Sequence, residues 1–410
     1  MPELTEIAEA RRLVLERARP LEAEEVPLAE LRGRVLAEEV LASEDVPGFD
    51  NSAMDGYAIR AADAAGASET SPVELRLAGE SRAGHPSEAT VGPGEAIAIS
   101  TGAMVPPGAD AVVRVEDTAR PDGAVEVRAE VPPANNIRRA GEDIEAGSRL
   151  LEPGRLLGAA EIGVIASAPR AEVACFCVPR VGVVVTGDEL IGPSEPMRPG
   201  AVRDSNAHAV PALVLDAGAE VASVGHAGDA PGRTREAIGR ALEADLTVVC
   251  GGVSVGEHDH VRPALAELGV EEVFWGVSLR PGKPTWFGIA PGGGPVFGLP
   301  GNPVSAMVTF TLFARPALLA MQGLDPAARR VQAVLEDGYE KKPGRTHAVR
   351  CTLTAGPRGL LARTTGPQGS HVLTSMLGAD ALAMIGAKSA GVAAGETVEV
   401  ELLCGSRIGG

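Results

Sequence analysis

The stretches VGVVVTGDEL (181–190), LTVVCGGVSVGEHD (246–259) and VFGLPGNPVSA (296–306) decide the fold of the largest region of this chain. Each contains an apolar run of the kind that forms a parallel strand buried on both faces. Amphipathic segments with helical spacing accompany these runs, at residues 208–217, 234–243, 261–268 and 304–321. Because strands that alternate with helices build parallel sheets covered on both sides, we predict a doubly wound α/β domain over residues 171–325.

The sequence on either side of this domain predicts three smaller regions. Apolar residues recur at helical spacing near the amino terminus, which predicts helices there. A period of two at Val73, Leu75 and Leu77, and again at Val349 and Cys351, predicts strands instead. The predicted regions are a helical N-terminal domain (1–45 with 138–170), a small β-rich domain (46–137) and a C-terminal β-barrel domain (326–410). The whole chain is therefore predicted to be a multidomain α/β protein.

Charge and composition exclude several classes of function. The chain has 55 acidic and 37 basic residues and a formal net charge of −18, so we expect neither a nucleic-acid partner nor attachment to an anionic membrane. The charged first 20 residues contain no apolar leader, and the apolar run at 307–314 is too short to span a bilayer. We therefore expect a cytoplasmic location. The five cysteines form no CxxC pair, so a zinc or dithiol site is not predicted.

The candidate ligand site follows from the ends of the predicted strands. In an open parallel sheet, ligands bind beyond the carboxyl ends of the strands. Two of these ends have a strand, a glycine-rich loop and then a helix, a layout whose free backbone N–H groups favour a phosphate. The candidate binding residues in these loops are Gly251, Gly252, Ser254, Gly301, Asn302 and Ser305. Arg280 and Lys283 in RPGKP are placed to neutralise a phosphorylated ligand.

Five carboxylates lie in glycine-containing breaks rather than on charged helix faces: Asp55, Asp143, Glu189, Asp229 and Asp259. Taken singly, each is explained by capping or by solvation. If they converge beside an anion site, they would instead hold a hard cation such as Mg²⁺ through oxygen ligands.

Seven motifs in the correct order resemble one family. Besides TGDEL, GGVSVGEHD and GLPGNPVSA, they are PGFDNSAMDGYA (47–58), TGAMVPPGADAVV (101–113), NIRRAGEDI (136–144) and RPGKP (280–284). Together they resemble the molybdopterin molybdenumtransferase family, which is the MoeA type and is similar to the E domain of gephyrin. The resemblance implies four domains and a homodimer. It also implies a Mg²⁺-assisted reaction in which adenylylated molybdopterin and molybdate give molybdenum cofactor and AMP.

The resemblance also implies roles for individual residues. The catalytic candidates are Asp55, Thr101, Asp143 and Glu189, and the metal candidates are Asp229, Asp259 and Glu189. Pro300 and Ser370 join the substrate-binding candidates, and Thr101, Ser370, Arg138 and Arg139 are candidates for molybdate itself. The chain departs from the family's pattern at Gly276 and Arg280, where the family often has lysine, and at Asp229-Ala230-Pro231, where it often has two aspartates.

Two alternative functions stay open at this point. A molybdopterin adenylyltransferase has a related α/β domain, but a stand-alone enzyme of that kind would lack residues 1–150 and 328–404. A gephyrin-like scaffold with degenerate chemistry is disfavoured because the five acids are retained. A separate adenylyltransferase is also a possible partner of this chain.

Overall fold

The structure is a computed structural model that describes residues 3–121, 123–228, 230–254, 259–357 and 359–403. Three six-stranded sheets dominate it, and short two-stranded ribbons accompany them.

The amino-terminal segment differs from the helices predicted throughout residues 1–45. It forms helix α1 (Ile7–Leu15) and the strands β1 (Ala23–Pro27), β2 (Val40–Leu41) and β3 (Asn51–Ser52). The predicted second helix is only a 3₁₀ turn at Leu28–Glu30. Gly33 interrupts it with a φ of +79°, a left-handed conformation that ends a helical run. Leu31 and Leu36, which are spaced as in a helix, are therefore buried although the chain around them is largely irregular.

Helix α1 does not pack on the N-terminal layer in which the sequence placed it. Its buried side chains Ala10 and Val14 belong to the core of the α/β region. Arg11 donates to the carbonyl of Leu312 and forms a buried ion pair with Glu401. The helix therefore joins the α/β region to the carboxyl-terminal barrel.

The first large sheet lies between residues 56 and 127. Its strands are β4 (Gly56–Ile59), β5 (Val73–Ser81), β6 (Glu95–Ile99), β7 (Ala111–Arg114), β8 (Thr118–Ala119) and β9 (Ala124–Val127). They are ordered β7-β4-β6-β5-β9-β8. Alternate residues such as Leu75, Val125 and Val127 point into one core, as expected for strands with one solvated face.

The chain then returns to the N-terminal segment. It forms β10 (Ile137–Arg138), β11 (Arg149–Leu151), helix α2 (Ala159–Ser167) and β12 (Glu172–Phe176). Strands β10, β11 and β12 pair antiparallel with β3, β2 and β1, respectively. At the start of α2 the Glu161 side chain accepts the Gly158 N–H at 3.0 Å, which satisfies a donor of the first turn.

The second large sheet is the α/β region. Its strands are β13 (Arg180–Thr186), β16 (Glu220–Ala227), β17 (Leu246–Cys250), β18 (Glu271–Trp275), β20 (Trp286–Ile289) and β21 (Pro295–Leu299). The order is β16-β13-β17-β21-β20-β18, with the first four strands parallel and the last two antiparallel. Short strands β14 (Leu190–Ile191), β15 (Val202–Arg203) and β19 (Leu279–Arg280) lie outside it.

Helices cover both faces of this sheet. They are α3 (Asn206–Asp216), α4 (Pro231–Ala241), α5 (Val261–Glu267), α6 (Pro303–Thr309) and α7 (Arg315–Met321). Along β13, Val183 and Val185 join the core with α3, α6 and α7, whereas Val184 joins the core with α4 and α5. This alternation explains the unbroken apolar run in the sequence. The predicted multidomain α/β architecture is confirmed.

Helices α6 and α7 are joined by a π-helical turn at Phe310–Ala314 into one long element, Pro303–Met321. Among the described residues, this is the element long and apolar enough to cross a membrane by length and composition. Within the protein, 78% of that window is buried, so it serves as a core helix here.

The third sheet closes on itself. It contains β22 (Arg330–Leu335), β24 (Thr346–Gly356), β25 (Gly359–Thr364), β26 (Ala381–Ile385) and β28 (Thr397–Leu402), and the ribbon β23 (Tyr339–Glu340) with β27 (Gly391–Val392) lies beside it. Pairing runs β24-β25-β22-β28-β26 and back to β24, and β19 adds to β24. The predicted carboxyl-terminal β-barrel is confirmed.

Candidate active site

A cleft of about 720 Å³ lies beyond the carboxyl ends of β13, β17 and β21. Of the residues predicted from the sequence, it is lined by Glu189, Gly251, Gly252, Ser254, Asp259, Pro300, Gly301 and Asn302. The parallel strands explain this gathering because their carboxyl ends share one edge of the sheet. Residues 255–258 of the GGVSVGEHD motif, and Asp229, lie outside the described residues.

The glycines of the β17 loop let two strand ends approach closely. Gly251 has a φ of +93° and Gly252 a φ of +63°. A Cβ atom on Gly251 would lie 2.8 Å from the Thr186 Oγ1 and 2.9 Å from the Thr186 carbonyl oxygen. A side chain here would therefore force β13 and β17 apart at the edge where the cleft opens.

The carboxyl-terminal barrel contributes one wall through the QGSH segment (368–371). Asn302, at the start of α6, donates to the Ser370 hydroxyl at 3.3 Å, and His371 lines the cleft. Asn206 donates to the Gly301 carbonyl at 2.7 Å and so braces the β21 loop from the side of α3. The structure thus brings Ser370 to the predicted loops, although it comes from another region of the chain.

Three further candidates are not among the residues that line the cleft. Ser305 is buried within α6, and its carbonyl accepts the Thr309 hydroxyl at 2.8 Å. Arg280 is exposed on β19, and Lys283 is half-buried beside Pro284, which does line the cleft. Their roles in substrate binding remain predictions.

The cleft is also lined by residues that the sequence argument missed, among them Asp204 and Asn206 at the start of α3. One Asp204 oxygen accepts the Ala207 N–H at 2.9 Å, and the other lies 3.2 Å from His226 Nδ1. The signal available for these residues was the polar RDSN segment directly before an amphipathic helix, a position typical of ligands and caps alike. Below them, burial and then Asp204 raise the pKa of the Cys250 thiol to about 12, which makes this cysteine inert.

Arg350 was missed because it lies on the outer face of β24, between the barrel-core residues Val349 and Cys351, where an arginine is ordinarily exposed. Its guanidinium is fully buried and donates to the Ser375 hydroxyl at 2.9 and 3.2 Å and to the Gly369 carbonyl at 3.3 Å. Its Nη1 has no hydrogen-bond partner among the described residues. Burial lowers the pKa of Arg350. It lies beneath the loop that carries Ser370 and His371, and its bonds hold that loop in place.

The carboxylates in the cleft suit a magnesium ion that takes most of its ligands from water and from substrate phosphates. Glu189, Asp204 and Asp259 line the same cavity. Among the described residues, no group of three or more His, Cys, Asp or Glu side chains could hold a metal by itself. Magnesium is commonly bound by one or two carboxylates together with waters and substrate phosphates, so a site of this kind suits it.

The N-terminal candidates lie in other places. Asp55 accepts the backbone N–H of Thr101 at 2.7 Å and the Thr101 hydroxyl at 3.1 Å, so these two predicted residues do form a pair. Asp143 and Arg138 line a second, shallower cavity of about 440 Å³. In the part of the chain that the structure describes, neither group is among the residues that line the large cleft.

Arg139, a predicted molybdate candidate, is occupied by another acid. It pairs with Asp50, which also accepts the Ala140 N–H at 2.9 Å. The bond from Ala140, supported by Arg139, lowers the pKa of Asp50. Arg138 in the second cavity is therefore the better placed of the two arginines to meet a ligand.

The departure at Gly276 has a structural reason. Its φ is +86°, and its carbonyl accepts the Thr5 N–H at 3.0 Å. A Cβ atom there would lie 3.0 Å from Leu4 Cδ2. A lysine at this position would be strained and would crowd the amino-terminal segment.

The fold and the cleft define a multidomain α/β enzyme whose strand-end loops are suited to a phosphate-bearing ligand. Sequence comparison makes this class specific. Residues 5–168 match the MoeA N-terminal region (domain I and II), residues 182–320 a probable molybdopterin binding domain, and residues 332–403 the MoeA C-terminal region (domain IV).

Full-length relatives agree with these matches. Molybdopterin molybdenumtransferase 2 of Mycobacterium tuberculosis is 38% identical over 403 residues, which cover 96% of this chain and 98% of the relative. The molybdopterin molybdenumtransferase of Haemophilus influenzae is 35% identical over 387 residues, 93% of this chain and 94% of the relative. The crystal structure of a molybdopterin biosynthesis MoeA protein from Pyrococcus horikoshii is similar with a TM-score of 0.84 at 33% identity, covering 98% of this chain and 99% of that one.

The chain therefore belongs to the molybdopterin molybdenumtransferase family. The predicted class of enzyme, a transferase of molybdenum cofactor biosynthesis that acts at molybdenum insertion, is confirmed. Since the relatives are matched along nearly their whole length, the alternative of a stand-alone adenylyltransferase has no support from these comparisons.

Proposed function

We propose that the large cleft binds adenylylated molybdopterin and that molybdate triggers the release of AMP as molybdenum is inserted. The observation that carries this proposal is the convergence of two glycine-rich loops and a helix start on one cavity of about 720 Å³. Such a cavity has the size of an ordinary site for a drug-sized ligand. Backbone N–H groups of the Gly251–Gly252 turn and of the first turn of α6 would receive the phosphates.

The carboxylates of the cleft would hold a magnesium ion. Glu189 and Asp259 would bind it together with Asp229, which lies outside the described residues. When bound, the cation neutralises charge on the phosphoanhydride. Asn302 and Ser370 would orient the ligand where the barrel meets the cleft, and the bonds between Arg350, Ser375 and Gly369 keep the Ser370 loop in position.

Proton handling is proposed for the N-terminal acids. The oxo groups of molybdate must be protonated to leave as water when sulfur ligands replace them. Asp55 is oriented for such a task by two bonds from Thr101, and Asp143 lies beside Arg138, whose charge suits an oxyanion. Neither acid needs to bind molybdate directly, because a carboxylate and the molybdate anion repel each other.

We further propose a homodimer in which these acids meet the cleft of the partner subunit. Within one chain the Asp55 pair and the Asp143 cavity are separate from the large cleft, so a site that uses all of them needs a second copy. Light scattering should give the mass of a dimer, and a fully active monomer would contradict this part of the proposal. A separate cytoplasmic adenylyltransferase would supply the substrate.

The decisive test is AMP release from purified adenylylated molybdopterin with and without molybdate. Release that requires both molybdate and Mg²⁺ is expected. In a parallel reaction, molybdopterin and ATP replace the adduct. Formation of the AMP adduct there, without molybdate, would favour an adenylyltransferase and overturn the proposal.

A further inference from the structure

Four basic side chains form a strip along one end of the barrel: Arg280, Lys341, Arg345 and Lys388. Pairing of β19 with β24 sets Arg280 opposite His347. Arg345 donates to the Leu279 carbonyl at 3.3 Å. The Lys341 ammonium donates to the Ser389 carbonyl at 2.9 Å and the Ala387 carbonyl at 3.4 Å, and so lies against the turn that carries Lys388.

The strip is uncompensated in a strongly acidic protein. The net charge is −18, yet within the described ranges none of the four side chains forms a salt bridge with a carboxylate. Glu340 lies between Tyr339 and Lys341 in an extended segment, so its side chain points to the opposite face. Arg280, Lys341 and Arg345 lie close enough to His347 to add to the effect of burial in lowering its pKa.

The lining of the cleft is acidic, in contrast to the basic strip. Three carboxylates, from Glu189, Asp204 and Asp259, line it. The arginine that lines it, Arg203, is engaged with the carbonyls of Gly192 and Glu195. A small dianion that must enter after the phosphorylated substrate is bound would be repelled by such a lining.

We propose that the basic strip attracts molybdate and guides it to the mouth of the cleft. The chain leads from the strip to that mouth, because Lys283 and the cleft-lining Pro284 follow Arg280 within four residues. A line of fixed cations beside an acidic cavity raises the local concentration of an anion and its rate of association. This inference rests on the proposed function, in which molybdate is the second substrate.

The test compares two double variants that remove the same charge. Lys341→Gln with Lys388→Gln changes the strip but none of the groups assigned to binding or chemistry. Arg235→Gln with Arg240→Gln changes exposed residues of α4 that pair with Glu267 and Glu236. Molybdate-dependent AMP release is measured at saturating adenylylated molybdopterin over a range of ionic strength.

In the strip variant, kcat/KM for molybdate should fall roughly threefold to tenfold at low salt, with kcat unchanged. The difference should vanish near 1 M salt, where screening acts within about 3 Å. The α4 variant should stay within about twofold of wild type throughout. Equal behaviour of the two variants, as expected if the strip serves an acidic protein partner, would overturn the inference, as would a loss that persists at high salt. Wild-type protein that releases no AMP with molybdate would instead contradict the proposed function itself.

Discussion

The cleft of the α/β sheet and the N-terminal acidic turns contain the same kind of side chain in two different settings. Glu189 and Asp259 follow strands of one parallel sheet, so the topology alone carries them to a common edge. Asp55 and Asp143 lie in turns between short strands, and they occupy separate places. A parallel sheet therefore gathers its carboxylates within one chain, whereas the N-terminal acids are proposed to reach the cleft of a partner subunit.

The sharpest way to test this difference is to neutralise one acid of each setting. Asp259→Asn should slow AMP release by roughly 100-fold or more at any molybdate concentration, the scale of a lost catalytic group. Because the carboxylate is proposed to hold Mg²⁺, the variant should also need a higher Mg²⁺ concentration for half-maximal rate. A Mg²⁺ titration identical to that of wild type would remove Asp259 from the metal site.

Asp55→Asn should have an equally large effect on turnover but a different signature. Since Asp55 lies outside the cleft of its own chain, calorimetry should show nearly unchanged binding of adenylylated molybdopterin, while molybdate no longer triggers its hydrolysis. Mixing Asp55→Asn with Asp259→Asn protein should restore part of the activity if each site is shared between subunits. Loss of substrate binding in Asp55→Asn would break the division between the two settings.

The same contrast explains what the sequence could and could not predict. The buried strands β13 and β17 and their glycine loops were predictable, because continuous apolar runs and left-handed glycines leave few alternatives. Residues 28–36 had helical spacing yet bury Leu31 and Leu36 without a helix, because Gly33 adopts a left-handed turn. Local periodicity could not show which surface those side chains would meet.

The site was predictable to the extent that it lies at strand ends. Ser370 was predicted as a site residue only through family resemblance, because its contact with Asn302 joins residues 68 positions apart. Arg350 had no signal in the sequence, since a buried arginine is revealed only by the loop carbonyl and hydroxyl groups that fold over it. The burial of such an arginine depends on tertiary contacts with a distant loop, which local sequence propensity does not reveal.

The carboxyl-terminal barrel offers a third setting, in which burial rather than strand order controls the pKa of a side chain. Burial, together with Arg280, Lys341 and Arg345, lowers the pKa of His347 to about 4 from an ordinary value of 6.5. Between these values the unfolded chain binds a proton that the folded chain does not. The free energy of unfolding should therefore fall as the pH drops from about 6.5 towards 4, by up to about 3 kcal/mol.

Urea unfolding between pH 7 and pH 5 measures this contribution. His347→Asn should flatten the pH dependence, even though the loss of packing and of the 3.0 Å contact with Tyr339 lowers stability at every pH. His85→Asn, at an exposed turn, serves as the control and should leave the slope as in wild type. An unchanged slope in His347→Asn would show that other groups cause the dependence.

A substitution of Lys283 tests whether a positive charge beside the cleft contributes to binding of the phosphorylated substrate. Lys283→Ala should weaken binding of adenylylated molybdopterin by about 1.5–3 kcal/mol, the range for a hydrogen bond to a charged group. Lys388→Ala removes the same charge from the basic strip and should leave this equilibrium affinity within about twofold of wild type. Equal affinities for wild type and Lys283→Ala in calorimetry would mean that backbone donors alone hold the phosphates.

The smallest expected effect concerns the orientation of Asp55, which depends on hydrogen bonds within a turn rather than on the edge of a sheet. Asp55 receives one bond from the Thr101 backbone at 2.7 Å and one from its hydroxyl at 3.1 Å. Thr101→Val removes only the second, and a hydrogen bond to a charged group contributes about 1.5 kcal/mol at the lower end of its range, so AMP release should slow by roughly tenfold. Thr101→Ser keeps the hydroxyl and should retain nearly full activity. If serine is as slow as valine, which keeps the methyl group, both the hydroxyl and the methyl group of Thr101 are needed to position Asp55. If both variants are as fast as wild type, the backbone bond suffices, and the N-terminal acid is fixed as firmly by its local turn as the cleft acids are by their strands.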